Sequence, residues 1–217
     1  MFTYPKQALL GRIVPKAKIY QFASANTATK ELFVNQVESI VWQYKLAPET
    51  INLPAADFVT EIQIFDITLK GSEFDLNVLK CIDAAIPSNI FYRVLNGDYM
   101  QFIGAFKRYS EVVSENITVD AYFSSDWFSK NATFEPLPFS LNLQNLYEQM
   151  LQPLLSISFR ENESLLCKIE RLNDLQKKRL EHQKIESRLA KEKQFNRKVE
   201  LNTQLRVLKN AIMLLET

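Results

Sequence analysis

The sequence predicts an α/β or α+β domain: a mixed β-sheet of about four or five strands with flanking helices, followed by a long C-terminal coiled-coil-like helix or helical hairpin. Three observations predict it. Helix-period and strand-period apolar patterns alternate through residues 1–158. Asn96-Gly97 joins two segments rich in β-branched and aromatic residues, the strongest short hairpin signal. From Leu154 to Thr217 there is neither Gly nor Pro, and apolar residues recur there at three- and four-residue spacing. The expected division is a globular domain over 1–158 and a helical extension over 159–217.

The opening twenty residues carry Pro5, Gly11 and Pro15 between apolar clusters and read as an irregular arm. Thr27–Tyr44 reads as a helix, with Leu32, Phe33, Gln36, Val37, Ile40, Val41 and Tyr44 on one stripe; Pro48 and Pro54 then bracket a loop. Phe58–Leu69 fits a strand. Its alternation changes parity after Ile64, which predicts a bulge or a central strand buried on both faces. Ser72 with Asp75 is expected to cap a second helix running to about Ile86, with Leu76, Leu79, Ile82 and Ile86 on one face. Ile90–Leu95 and Tyr99–Lys107 flank the Asn-Gly turn. A further strand is expected over Thr118–Phe123, then a loop from Ser124 to Pro138. Ser140 is expected to open a helix reaching about Gln152, with Leu143, Leu146, Tyr147, Met150 and Leu151 along one side.

The C-terminal pattern has three parts. Leu165, Ile169, Leu172 and Leu175 form a first apolar run. Ile185, Leu189, Glu192, Asn196 and Val199 follow heptad spacing, but Glu192 and Asn196 are polar at seam positions. Leu201, Leu205, Leu208, Ile212 and Leu215 form a final run. The phase slips between runs, as stutters do. A single helix would span about 80 Å at about 1.5 Å per residue; a hairpin folded near 180–196 is the rival. The expected helix-partner interface is Leu165, Ile169, Leu172, Leu201, Leu205, Leu208, Ile212 and Leu215, facing a helix of the same chain, a second copy or another protein.

Composition bounds the chemistry. The 217 residues carry a formal net charge of +1, so no global basic field points to nucleic acid. The two cysteines, Cys81 and Cys167, are too few for a disulfide framework and read as free thiols in a reducing cytosol. No signal-peptide pattern and no membrane-length apolar run is present, so the expected location is cytoplasmic. With His182 as the single histidine and four glycines in all, His-based metal sites, catalytic triads and phosphate-cradling loops are not expected. No metal or cofactor is expected.

What remains is carboxylate chemistry. Asp57, Glu61 and Gln63 resemble the divided Asp…Glu-x-Lys metal site of restriction-type nucleases, where two carboxylates and a lysine serve a divalent ion. Gln63 stands where the lysine belongs, and the acidic spacing is short. The plainer reading makes Glu61 and Gln63 the solvent face of a strand. Asp66 reads as either a satisfied buried carboxylate or the outer face of an edge strand. Basic residues on the extension (Lys177, Lys178, Arg179, then Arg188, Lys191, Lys193, Arg197 and Lys198) allow a nucleic-acid reading. Such runs are more often the solvated face of a coiled coil.

The stretches IVPKAKIY, VESIVWQYKLAPETINLP, EIQIFDITLK, LKCIDAAIPSNIFYRV and LNLQNLYEQML, in that order, resemble an uncharacterised bacterial domain-of-unknown-function family, number 4391. The resemblance covers about residues 1–155. It implies a prokaryotic cytoplasmic protein encoded beside restriction–modification methyltransferases and helicase-like proteins, and it carries no catalytic residues over. The leading expectation is a non-catalytic accessory subunit of an anti-phage defence or restriction–modification-type complex, associating through its C-terminal helix with itself or with a methyltransferase- or helicase-type partner. A metal-dependent nuclease and a DNA- or RNA-binding adaptor are the alternatives.

Overall fold

A computed structural model describes residues 1–56, 59–109, 117–158, 160–161 and 163–216. The chain divides into two units, Met1–Leu154 and Leu155–Thr217.

In the first unit the elements run β1 (Phe2–Thr3), β2 (Leu9–Ile13), α1 (Lys16–Phe22), α2 (Thr27–Gln36), β3 (Val37–Leu46), α3 (Pro48–Ile51), β4 (Ile62–Leu69), α4 (Asn77–Ala85), β5 (Asn89–Asn96), β6 (Tyr99–Tyr109), β7 (Ile117–Ser129), β8 (Glu135–Pro136) and α5 (Leu143–Leu151). A mixed sheet lies at the centre, as expected, with six strands rather than four or five, in the order β2-β3-β4-β5-β6-β7. Every pair is antiparallel except β4 and β5. Those two are parallel because α4 carries the chain back across the sheet between them. β1 and β8 form a separate two-stranded parallel pair.

Several expectations about elements need correcting. The predicted helix over Thr27–Tyr44 ends at Gln36, and Val37–Leu46 is a strand. Asn26 caps α2, its side chain accepting from the Thr29 N–H at 2.8 Å. At the other end the Lys16 ammonium donates to the Phe33 and Val37 carbonyls and closes the helix. The strand was disguised by irregularities in its pairing with β4, between Val37 and Ser39 and between Trp42 and Tyr44. An extra residue in a strand turns a two-residue spacing into three, which imitates a helical stripe.

The opening arm is the second departure: Leu9–Ile13 is a sheet strand, with Gly11 at φ +63° where its register with β3 shifts. The third is α4, which Ser72 does not cap. Its N-cap is Leu76, and the Asp75 carboxylate accepts instead from the Asn77 N–H. Downstream, β7 runs to Ser129, into the expected loop, and α5 is capped by Asn142 rather than Ser140.

Of the two readings of the parity change, a bulge or a central strand buried on both faces, β4 is the second: nearly all its side chains are buried. On one face, Phe65 and Ile67 join Tyr92, Val94 and Ile103, covered by Ile19 of α1, Phe33 of α2 and Leu79 and Ile82 of α4. On the other face, α5 approaches β5 and β6. The Tyr147 hydroxyl donates to the Ala105 carbonyl at 2.6 Å, and Phe102 meets Phe128 and Phe134 edge-on. The close approach uses Gly104. A Cβ there would overlap Leu151 Cδ2 and sit 3.1 Å from Leu154 Cδ1 and 3.2 Å from Phe91 Cε2.

The second unit is a helical hairpin. α6 (Leu165–Lys191) and α7 (Phe195–Glu216) pack against each other through a three-residue connection, Glu192–Gln194. Ser164 caps α6 by accepting from the Cys167 N–H at 3.2 Å. Glu192, a polar interruption in the heptad reading, sits at the turn. Its carboxylate accepts from the N–H groups of Lys193 and Gln194 at 2.8 and 2.9 Å.

Gly104→Ala is expected to lower stability by about 1–3 kcal/mol through overpacking, read as a shift in the urea midpoint. In a Leu151→Ala background, which empties the overlapped space, the same substitution should lower it by less than half as much.

Candidate functional site

Three groupings of side chains stand out from the packing. The first lies where β3 ends and β4 and β5 begin. Glu61 precedes β4 and accepts from the Ser88 hydroxyl at 2.9 Å and from the Gln63 amide, while its other oxygen lies 3.3 Å from Lys45 Nζ. Lys45 also meets Glu49, at 2.6 Å. Two of the three sequence candidates, Glu61 and Gln63, are therefore brought together. Gln63 is buried and not on a solvent face. Asp57 lies outside the described residues. The lysine beside Glu61 comes from the neighbouring strand. Among the described residues no group of three or more His, Cys, Asp or Glu side chains is placed to hold a metal ion.

Ser88 links this edge to a buried pair. Its carbonyl accepts from Lys107 Nζ at 2.6 Å, and the same ammonium lies 2.8 Å from the Asp83 carboxylate. The Lys107 and Asp83 side chains are 1% and 2% exposed. Tyr122 donates to the other Asp83 oxygen at 2.6 Å. Burial, and then the Asp83 charge, push the phenols of Tyr92 and Tyr122 above their ordinary range. Sequence reasoning missed both charged residues, although a signal was present. Asp83 is four residues after Leu79 and three before Ile86, so it occupies the apolar face of α4. A carboxylate there must be paired. The pair ties α4 to β6, and its full burial suits a fastening more than a reacting centre.

The second grouping surrounds Asp66, which is the satisfied buried carboxylate. Arg93 binds it through two hydrogen bonds of 2.6 Å. The guanidinium lies 5.7 Å from the Tyr4 ring centroid and 5.4 Å from that of Tyr44, a desolvated arrangement for which Arg is better suited than Lys.

The hairpin is the third. Leu165, Ile169, Leu172 and Leu208 are buried, while Leu201, Leu205, Ile212 and Leu215 are half-buried. The apolar run of α6 therefore meets α7 of the same chain. Leu208 is the one buried residue of α7, and Val199 and Val207 on the same helix are 50% and 62% exposed. Arg171 closes the base of the hairpin. It forms a two-armed pair with Glu163 at 2.7 Å and donates to the carbonyls of Leu215 and Ser158 at 2.6 Å. That guanidinium holds the Glu163 carboxyl down to a pKa of about 2. Of the sequence's basic candidates, Lys177 meets Asp174 at 3.5 Å, Arg179 meets Glu216 at 2.5 Å and Lys178 is half-buried. Arg197 and Lys198 sit in the first turn of α7, with Arg197 3.9 Å from Glu192.

The sequence profile of a family described as domain of unknown function (DUF4391) matches residues 2–212, the hairpin included. No curated protein and no solved structure matches the chain.

Replacing one member of the buried pair, by Asp83→Asn or Lys107→Met, should lower stability by about 3–5 kcal/mol, because a charge is left unpaired. In chemical denaturation the double change Asp83→Leu/Lys107→Met should cost well under the sum of the single changes. The hairpin carries a pH signature. Glu163 has a folded pKa below its unfolded value of 4.5, so its contribution is present above pH 4.5 and fades as pH falls toward 2. Glu163→Gln should remove that loss from the stability profile in this window.

Proposed function

Since the chain belongs to the DUF4391 family, whose function is unknown, we propose that it is a non-catalytic accessory subunit that docks to a protein partner through its helical hairpin. The carrying observation is the half-covered apolar surface of α7. Leu201, Leu205, Ile212 and Leu215 remain half-buried after packing on α6, and Val199 and Val207 project beyond it. A helix with apolar residues on more than one side gains by burying them against another helix. The partner is a second copy or a larger subunit of methyltransferase or helicase type, in a bacterial anti-phage defence or restriction–modification-type complex. This assignment to defence follows the family resemblance. No helix among the described residues is long and apolar enough to cross a membrane, in keeping with the cytoplasmic location that this reading requires.

One observation favours a second reading, a metal-dependent nuclease. Lys45 places its ammonium 3.3 Å from Glu61, supplying from β3 the lysine that the sequence lacks at position 63. Magnesium- or manganese-dependent DNA cleavage that persists in Glu61→Ala would remove this reading.

Docking is tested by light scattering on the full chain and by copurification from a bacterial host. The double variant Val199→Glu/Val207→Glu should release the second copy or the larger partner, weakening association about thirtyfold, as for a loss of about 2 kcal/mol, with unchanged helical circular dichroism. A full chain that stays monomeric and copurifies with nothing would sink the proposal.

A further inference from the structure

The turn end of the hairpin has a different character from its flanks. Between residues 184 and 200 stand six cations, Lys184, Arg188, Lys191, Lys193, Arg197 and Lys198, against three glutamates. Arg188, Lys191 and Arg197 line an open cleft of about 390 Å³ between the ends of the two helices, together with Glu192, Glu200, Leu201 and Gln204. Both N–H acceptor contacts of Glu192 go to one of its oxygens, which holds the turn. Its other oxygen lies 3.9 Å from Arg197, and the cleft lining carries three cations, Arg188, Lys191 and Arg197, against two carboxylates, Glu192 and Glu200.

Helix stability explains only part of this cluster. Arg188 and Lys191 lie in the last turn of α6, where the helix dipole favours cations. Lys193, Arg197 and Lys198 surround the start of α7, whose first turn holds no acidic residue. There the dipole disfavours cations. Arg197, held against the dipole, shares an open cleft with Arg188 and Lys191, and the three are placed for an anion from outside. Phe195 is the first residue of α7 and is 77% exposed. A large aromatic ring in water two residues from Arg197 is the second half of a familiar pairing: cations for a backbone and a ring for a base.

We propose that the hairpin turn is a binding site for single-stranded nucleic acid, with Arg188, Lys191 and Arg197 on successive phosphates and Phe195 stacked on a base. The site differs from the Lys177–Arg179 run, where two of the three side chains already have carboxylate partners. It also differs from the Val199/Val207 surface and does not depend on the docking reading. A Val207→Glu protein, with its new charge ten residues from Arg197, keeps this activity when its partner is lost.

The test is fluorescence anisotropy of the full chain with labelled oligodeoxyuridylate, oligouridylate and a DNA duplex. Three phosphate contacts predict a slope of about −2 in log affinity against log salt, roughly a twentyfold loss between about 50 and 200 mM. Arg188→Gln/Lys191→Gln/Arg197→Gln should flatten that slope and weaken binding at least tenfold. Phe195→Ala should weaken it roughly tenfold at an unchanged slope. The pair Lys177→Gln/Lys178→Gln should change neither. All these positions except Lys178 are exposed, and circular dichroism verifies the fold of each variant. Equal binding of the two single strands identifies the shared backbone and base faces as the ligand, whereas a preference identifies the sugar that is read. The proposal is overturned by absence of binding at the lowest salt, by a triple variant that keeps affinity and slope, by an inert Phe195→Ala, or by tighter binding of the duplex.

Discussion

Burial of β4 on both faces is the constraint that organises the first unit. A strand whose side chains are almost all out of water needs a layer above it and a layer below. The chain provides α1, α2 and α4 on one side and α5 on the other. The parallel β4–β5 pair then follows, because the crossover between them is the helix that covers one face. Each layer is also fastened by a polar contact that tolerates burial. Asp83 of α4 meets Lys107 of β6, and Tyr147 of α5 reaches the Ala105 carbonyl. Apolar contact alone would allow these helices to slide; a buried charge pair permits one position.

Much of this was legible in the residues themselves. The parity change within β4, the Asn96-Gly97 hairpin and the amphipathic α4 and α5 all follow from periodicity. β3 was not legible. Its bulges give Val37, Ile40 and Tyr44 the spacing of a helix, and only pairing with β4 reveals the strand. The edge strand β2 was hidden because it is short and contains Gly11. At the sheet end, Glu61 and Gln63 were identifiable from their order. Lys45, Ser88, Lys107 and Asp83 join them from four separate segments, and pattern along one segment carries no such information.

The hairpin shows the same division between pattern and geometry. Leucine spacing announced two apolar runs and a weak middle. The middle proved to contain both the end of α6 and the turn, with Glu192 serving the backbone rather than a seam. Arg171 shows how far a single side chain can act at the other end: it joins Glu163, Ser158 and Leu215 at once. With α7 burying little of its surface, that polar clasp carries a share of the hairpin's cohesion that a larger core would otherwise supply.

Arg93 also ties the sheet to the order in which the chain assembles. Its guanidinium lies near the ring of Tyr4, and the first residues are held at the opposite end of the unit's sequence. Thr3 donates to the Glu135 carbonyl, and Glu135 donates its N–H to Met1. Closing a loop of more than a hundred residues is entropically slow compared with forming a hairpin. Residues 1–3 therefore wait for residue 135 before they take their place. Until then Tyr4 cannot cover Arg93, and one side of the central ion pair stays open to water.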